Sequence, residues 1–341
     1  MKSFASSGTE GAAFLDIPVG AGPAALGSAY TALATDAYAP IYNPAGVGFL
    51  SGTQVAAQHL SYLDSINDEF LSVVHSVGQG KAIGFSAQYL GTGDINATGP
   101  DNAEPLGTYS SHYGAYSFVY GQKVTDKLSV GLTGKWINAK LADVSANAYA
   151  ADIGSLYQVL DNLKLALTVT NLGSKLTFTS QGDTLPQEEH LAAAYQPVRH
   201  VTLALEGVHS QTGLNSGRMG VEWSPMEMVK IRAGYKTDTT QGLSALAGFT
   251  TGVGLNVWGQ EFSYAWLPYG DLGDTQYFSM LIRFGQTDRT QNILKHEALR
   301  WQEPKDANKD KSNDPDYQQL MQILNDEPER NALAPAVEAS Q

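Results

Sequence analysis

Between residues 53 and 285 apolar and polar side chains alternate in runs of about 9–14 residues, punctuated by turn chemistry. A period of two is the mark of a strand whose faces meet different surroundings. Runs near 53–63, 68–76, 81–91, 112–124, 127–141, 148–159, 162–172, 188–197, 200–210, 216–225, 228–237, 242–252, 255–267 and 274–285 read as strands. The mean globular strand has only ~5–6 residues, whereas a tilted strand needs ~9–11 to cross a bilayer. The expected fold class is therefore all-β, a transmembrane antiparallel up-and-down β-barrel of about fourteen strands. A sandwich with one wet face is the soluble alternative.

Facing follows from the same period. In 162–172 the row Leu163, Leu165, Leu167, Val169 opposes Lys164, Ala166, Thr168, Thr170. In 200–210, Val201, Leu203 and Leu205 oppose Thr202, Ala204 and Glu206. The charged member falls in the polar row each time, so Lys135, Lys164, Glu206, Arg218, Glu222, Lys230, Arg232, Lys236, Glu261 and Arg283 are expected to line the lumen. On the lipid face at mid-depth a Lys or Arg costs about 2–4 kcal/mol. Tyr62, Tyr89, Tyr116, Tyr120, Trp136, Tyr149, Tyr157, Trp223, Tyr264 and Trp266 fit interfacial girdles, where a ring has an apolar body and a wet tip.

Composition narrows the function. Charged residues are 16 % of the chain, below the roughly 25 % of soluble domains, and no apolar run reaches the ~18 residues of a membrane helix. A net charge of −13 argues against nucleic acid as a partner. With no cysteine, thiolate metal sites and disulfides are excluded. Met1-Lys2-Ser3-Phe4 opens like a signal peptide, but Ala5 to Glu10 is small and polar where an apolar stretch should run. An outer-membrane protein must be exported, so the expectation is that the natural signal has been removed from this sequence.

Connection lengths set a direction. Gly78-Gln79-Gly80, Thr125-Asp126, Leu160-Asp161, Val198-Arg199, Met226-Glu227 and Gly252-Val253-Gly254 read as tight turns. The alternate connections 92–111, 142–147, 173–187, 211–215 and 268–273 are longer. Outer-membrane barrels have short periplasmic turns and longer external loops, so an even strand count puts both termini in the periplasm.

Three segments differ in composition: an N-terminal hatch or plug segment (1–52), the outer-membrane barrel (53–285) and a periplasmic C-terminal tail (286–341). In the first, 24–35 reads as one short helix behind Pro23. Pro44 forces Asn43 out of the helical region, and Gly46 permits positive φ. Pro40, Tyr42, Asn43, Pro44 and Gly46 are the candidate hatch residues. The tail is expected to be partly helical or disordered, with two short apolar faces carrying Leu299, Trp301, Tyr317, Leu320, Ile323 and Leu324 as candidate partner-docking residues.

The stretch GTEGAAFLDIPVGAGPAALGSAYTALATDAYAPIYNPAGVGFL (8–50) resembles the N-terminal signature of the PorV/PorQ family, within the FadL-like outer-membrane barrel superfamily. The far end, GVEWSPMEMVKIRAGYKT (220–237) and FSYAWLPYGDLGDTQYFSMLIRFG (262–285), is similar to the last strands of those proteins. The resemblance implies a fourteen-stranded barrel with a hatch. It also implies either a part in type IX secretion, where PorV accompanies cargo at the cell surface, or FadL-like carriage of hydrophobic molecules. The long charged tail departs from the pattern.

No HExxH, P-loop or GxSxG elbow is present. The seven histidines lack ligand spacing, and the Asp306-x-Asn308-x-Asp310 run lacks the glycine and glutamate of a calcium loop. No enzyme activity, cofactor or metal is expected. The expected role is an adaptor or partner subunit in protein secretion or cell-surface assembly. The alternatives are a passive transporter of hydrophobic small molecules and a structural anchor holding a periplasmic complex by its tail. Expected partners are outer-membrane lipid, envelope proteins met through external loops and tail, and a hydrophobic ligand or detergent in the lumen.

Overall fold

Along residues 163–170, Leu165 and Leu167 are about half exposed, while Ala166 and Thr168 are buried. This alternation repeats around a computed structural model that describes residues 10–62, 66–99, 102–211, 214–238, 245–285 and 318. Fourteen strands close into a barrel by antiparallel pairing of the first with the last. In chain order they are β1 Thr53–Ser61, β2 Asn67–Gly78, β3 Lys81–Gly91, β4 Ser111–Lys123, β5 Leu128–Leu141, β6 Val144–Leu160 and β7 Leu163–Gly173. The second half is β8 Glu188–Val198, β9 Val201–Ser210, β10 Ser216–Met226, β11 Val229–Lys236, β12 Phe249–Val257, β13 Gln260–Pro268 and β14 Asp274–Phe284. Closure satisfies every strand edge, which a bilayer demands because it offers no water to unpaired amides. Two short hairpins stand apart from the wall, Ile95–Gly99 with Asn102–Tyr109 and Leu176–Thr177 with Gly182–Asp183.

The outer face is apolar. Leu71, Phe85, Phe118, Leu132, Ile153, Leu167, Leu205, Val253 and Phe278 are all exposed. A soluble sandwich would expose its polar row instead, so the sense of the alternation identifies the solvent as lipid. Among the described residues no helix is long and apolar enough to cross a membrane.

Several local expectations are corrected. The connection expected at 142–147 is a two-residue turn at Ala142 and Asp143, because β6 begins at Val144 and pairs with β5 from its first residue. The run 242–252 is not one strand: residues 245–248 form a 3-10 turn, and β12 starts at Phe249. Gly252, Val253 and Gly254 are not a turn but pair with Ala265, Tyr264 and Ser263 inside the sheet. The turn lies at Trp258 and Gly259, both at positive φ (53° and 77°). The glycines at 252 and 254 are small for another reason: an added Cβ would crowd Ala25 in one case and Arg232 in the other. Tyr62 is no girdle residue, since its ring packs against Tyr269 at 6.1 Å. The tail residues Leu299, Trp301, Tyr317, Leu320, Ile323 and Leu324 lie outside the described residues.

The helix expected over 24–35 is broken. Helix α1 covers Ala21–Ala25, with Pro23 inside its first turn, and ends where Gly27 and Ser28 turn left-handed (φ 63° and 62°). Helix α2 covers Ala39–Tyr42, and a 3-10 helix covers Pro44–Phe49. Gly46 does not use positive φ; its missing Cβ makes room for the Ala34 carbonyl.

Candidate functional site: the hatch and the charged lumen

The N-terminal segment threads the barrel from end to end. Near the long-loop end Gly11 N donates to Thr184 O (2.9 Å), and Phe14 packs on Tyr113 with ring centroids 5.5 Å apart. Midway Ala21 N donates to Ser279 Oγ (3.0 Å), and Gly20 N donates to Gln58 Oε1. Gly27 N donates to Thr250 Oγ1, which itself donates to Ala25 O, both at 2.9 Å. Thr31 N donates to Glu206 Oε2 (3.1 Å). At the short-turn end Ser129 Oγ donates to Ala45 O (2.7 Å), and Thr133 Oγ1 donates to Pro40 O (3.2 Å). Residue 10 lies at the long-loop end, and from there the segment runs the full height of the lumen to reach β1. The two chain ends, expected on the short-turn side, lie outside the described residues.

Asn43 ties the hatch to itself and to the wall. Its Nδ2 donates to Thr31 O and Ser155 O (3.1 Å each), and its Oδ1 accepts from Ala45 N (3.0 Å). It is fully buried, and its backbone is extended (φ −162°, ψ 104°), as the following Pro44 requires. Tyr42 OH donates to Val19 O (2.8 Å) and accepts from Val19 N (3.0 Å), tying two stretches of the hatch together. Pro40, Pro44 and Gly46 are buried beside it. The wall is dented to receive this backbone. An added Cβ at Gly131 would overlap the Pro44 carbonyl, and one at Gly234 would overlap the Gly27 amide. Tyr30 OH donates to Asp36 Oδ2 (2.6 Å).

The lumen charges collect into two clusters on the wall formed by β8–β14. Toward the short-turn end, Arg232 meets Glu222 (2.7 Å) and Glu261 (2.6 Å), and Glu261 also meets Lys230 (2.9 Å) and Arg283 (3.5 Å). Toward the long loops, Glu206 meets His190 (2.9 Å) and Arg218 (3.6 Å), and Arg218 reaches Asp238 (3.5 Å). Lys236 is buried close to this second group. Lys135 pairs with Asp152 (2.7 Å) and donates to Asn171 Oδ1 (2.8 Å), while Lys164 lies half-buried in the inward row of β7, apart from both clusters. Sequence reasoning missed His190, Asp152, Asn171 and Glu188, which lies 3.3 Å from His190 and 4.0 Å from Arg218. His190 shares an inward row with Ala192 and Ala194, and that periodicity was the available signal.

Cavities of about 130 Å³ and 50 Å³ remain between hatch and wall, each beside one charged cluster. At the long-loop mouth a wider apolar recess of about 340 Å³ is bounded by Phe14, Ile17, Tyr62, Leu90 and Tyr113.

Because Asn43 joins two stretches of hatch to β6, Asn43→Ala is expected to strand buried carbonyls at a cost of about 1–3 kcal/mol. Single-channel recordings in planar bilayers should then show openings that are rare or absent in the parent. An unchanged, silent trace would mean that the hatch is held elsewhere.

The family model of the type IX secretion system protein PorV matches residues 5–198, which span the hatch and β1–β8. The chain belongs to the PorV family. Solved structures with similar folds include the CymD monoaromatic hydrocarbon channel, at 12 % identity and a TM-score of 0.55, covering 79 % of this chain and 98 % of that one. The Pseudomonas putida toluene transporter TodX gives 13 % identity and a TM-score of 0.50, covering 77 % of this chain and 96 % of its own. At such identities the likeness is one of fold. No curated protein matches the chain. The PorV-family barrel is thus an outer-membrane protein whose lumen is filled by its own N-terminal segment.

Proposed function

We propose that this PorV-family barrel is a non-enzymatic adaptor in protein secretion or cell-surface assembly, meeting envelope partners through its long loops and its tail. The observation that carries the reading is the hatch. It is bound to the wall along the whole lumen, by Gln58, Ser279, Thr250, Glu206, Thr133 and Ser129 in turn. A barrel stopped in this way has its loop-bearing end, not its bore, as a working surface. The description of the matched family as a secretion-system protein supports the same reading. In this orientation the short turns face the periplasm and the long loops face outward.

Affinity capture of the tagged full chain from envelope extract tests it. Secretion or surface-layer proteins should co-purify in stoichiometric amounts and be lost when 92–110 is replaced by a short turn. A barrel that purifies alone under mild detergent overturns the proposal.

Passive transport of hydrophobic molecules is the second reading, favoured by the apolar recess at the mouth and by the fold shared with hydrocarbon channels. Uptake of an aromatic hydrocarbon into vesicles carrying the protein, above that of empty vesicles, would support it over the adaptor role.

A further inference from the structure

The turn between β12 and β13 breaks the pattern of its neighbours. Val257 pairs with Gln260, which leaves a two-residue loop of Trp258 and Gly259 with both residues at positive φ, the type I′ arrangement. Asn-Gly or Asp-Gly is the usual choice there, because a bulky side chain in the left-handed region crowds its own backbone. Here the first position holds tryptophan at φ 53°. Its side chain gains nothing inside the protein, since Trp258 is 94 % exposed. The other short turns each carry a polar residue at the tip, among them Gln79, Asp126, Asp161, Arg199 and Glu227, the last beside the exposed Met228. An unfavourable backbone held for a side chain without internal contacts points to a contact outside the molecule.

What lies outside is set by the wall beneath. Leu255 and Phe262 are cross-strand partners just above the turn, and both are about half exposed on the lipid-facing side. Met226 and Met228, on the neighbouring hairpin, are also exposed, and Asn256 N is bound to Met228 O. On β12 the outward row Val253, Leu255 and Val257 therefore stays apolar down to the residue before Trp258, with Gln260 as the cross-strand partner of Val257. An indole has an apolar body and one N–H donor, which suits the boundary between acyl chains and headgroups.

We infer that Trp258 is a membrane anchor, seated in the headgroup region of the leaflet on the short-turn side and fixing the depth of the barrel at the β10–β13 corner. The chemistry required of its partner is that of a phospholipid interface: carbonyl or phosphate acceptors for the indole N–H above an apolar layer.

Two measurements on the full-length chain test this. In the first, Trp136, Trp223, Trp266 and Trp301 are changed to Phe, leaving Trp258 as the fluorophore. The protein is folded into phosphatidylcholine vesicles with bromine placed either near the headgroup or near the chain end. Emission should be quenched at least about twofold more by the shallow bromines. Emission unaffected by either lipid would place Trp258 in water, free for a protein partner, and overturn the inference. In the second, Trp258→Asn is compared with the parent. Asn tolerates the left-handed turn better than Trp, so an intramolecular account predicts equal or higher stability. The anchor predicts that the Asn variant, folded in vesicles, unfolds at a lower urea concentration than the parent. An Asn variant at least as stable in the bilayer would refute the anchor, even if the four-Phe protein failed to fold.

Discussion

Arg232→Met should lower the stability of the folded barrel in vesicles by about 3 kcal/mol, read from reversible urea unfolding. Removing one member of a buried ion cluster typically costs about 3–5 kcal/mol, because the partner left behind is charged and unpaired. Arg232 is 4 % exposed and joins Glu222 to Glu261, with a further bond to Ser263 Oγ (3.1 Å). The lower end of the range applies because Glu261 keeps Lys230 at 2.9 Å and Arg283 at 3.5 Å. Glu222 is left worse, with only Lys230 at 4.0 Å among the described residues. Adding Glu222→Gln to Arg232→Met should therefore recover a large part of the loss. If the double variant were no more stable than the single one, the cluster would not be held together by charge balance.

Leu205→Arg should cost about 2–4 kcal/mol in the same experiment, the amount for a cation near the bilayer midplane of a barrel wall. Leu205 is 59 % exposed, faces outward from the middle of β9, and lies opposite Ala193 on β8 and Met219 on β10. The contrast with the next residue sharpens the test. Glu206 carries a full charge one position along yet is buried in the lumen, where it binds His190 and the hatch. A small loss for Leu205→Arg, comparable to that of a surface substitution on a soluble protein, would mean that the belt is not lipid-facing at this height.

Legibility in the sequence followed the range of each interaction. Strands such as β3 and β9 were readable because their period of two is written into consecutive residues. Where the same signal had two causes, reading failed. Glycine marks turns, and Gly78 and Gly80 do sit in one, at φ 90° and 70°. Gly252 and Gly254 carry the same letter for a different purpose, leaving space for Ala25 and Arg232. No window of local sequence separates the two uses, since the atom that needs the room is more than two hundred residues away in one case. The helix expected over 24–35 failed in the same way. Its composition favours a helix, but the wall at Thr250 and Tyr235 requires Gly27 to turn left-handed.

The sequence by itself determined that this chain is a closed antiparallel wall in lipid, because the choice between lipid and water is made residue by residue through alternation. It also determined which charges could not face outward, since each sits in a row of small and polar neighbours. Only the tertiary structure decided how the lumen is used: that the N-terminal segment runs its full height, that the inward glycines are seats for that backbone, and that ten lumen candidates resolve into two ion clusters and two outlying lysines. Those outcomes depend on contacts between residues far apart in the chain, and their geometry exists only once the barrel has closed around the hatch.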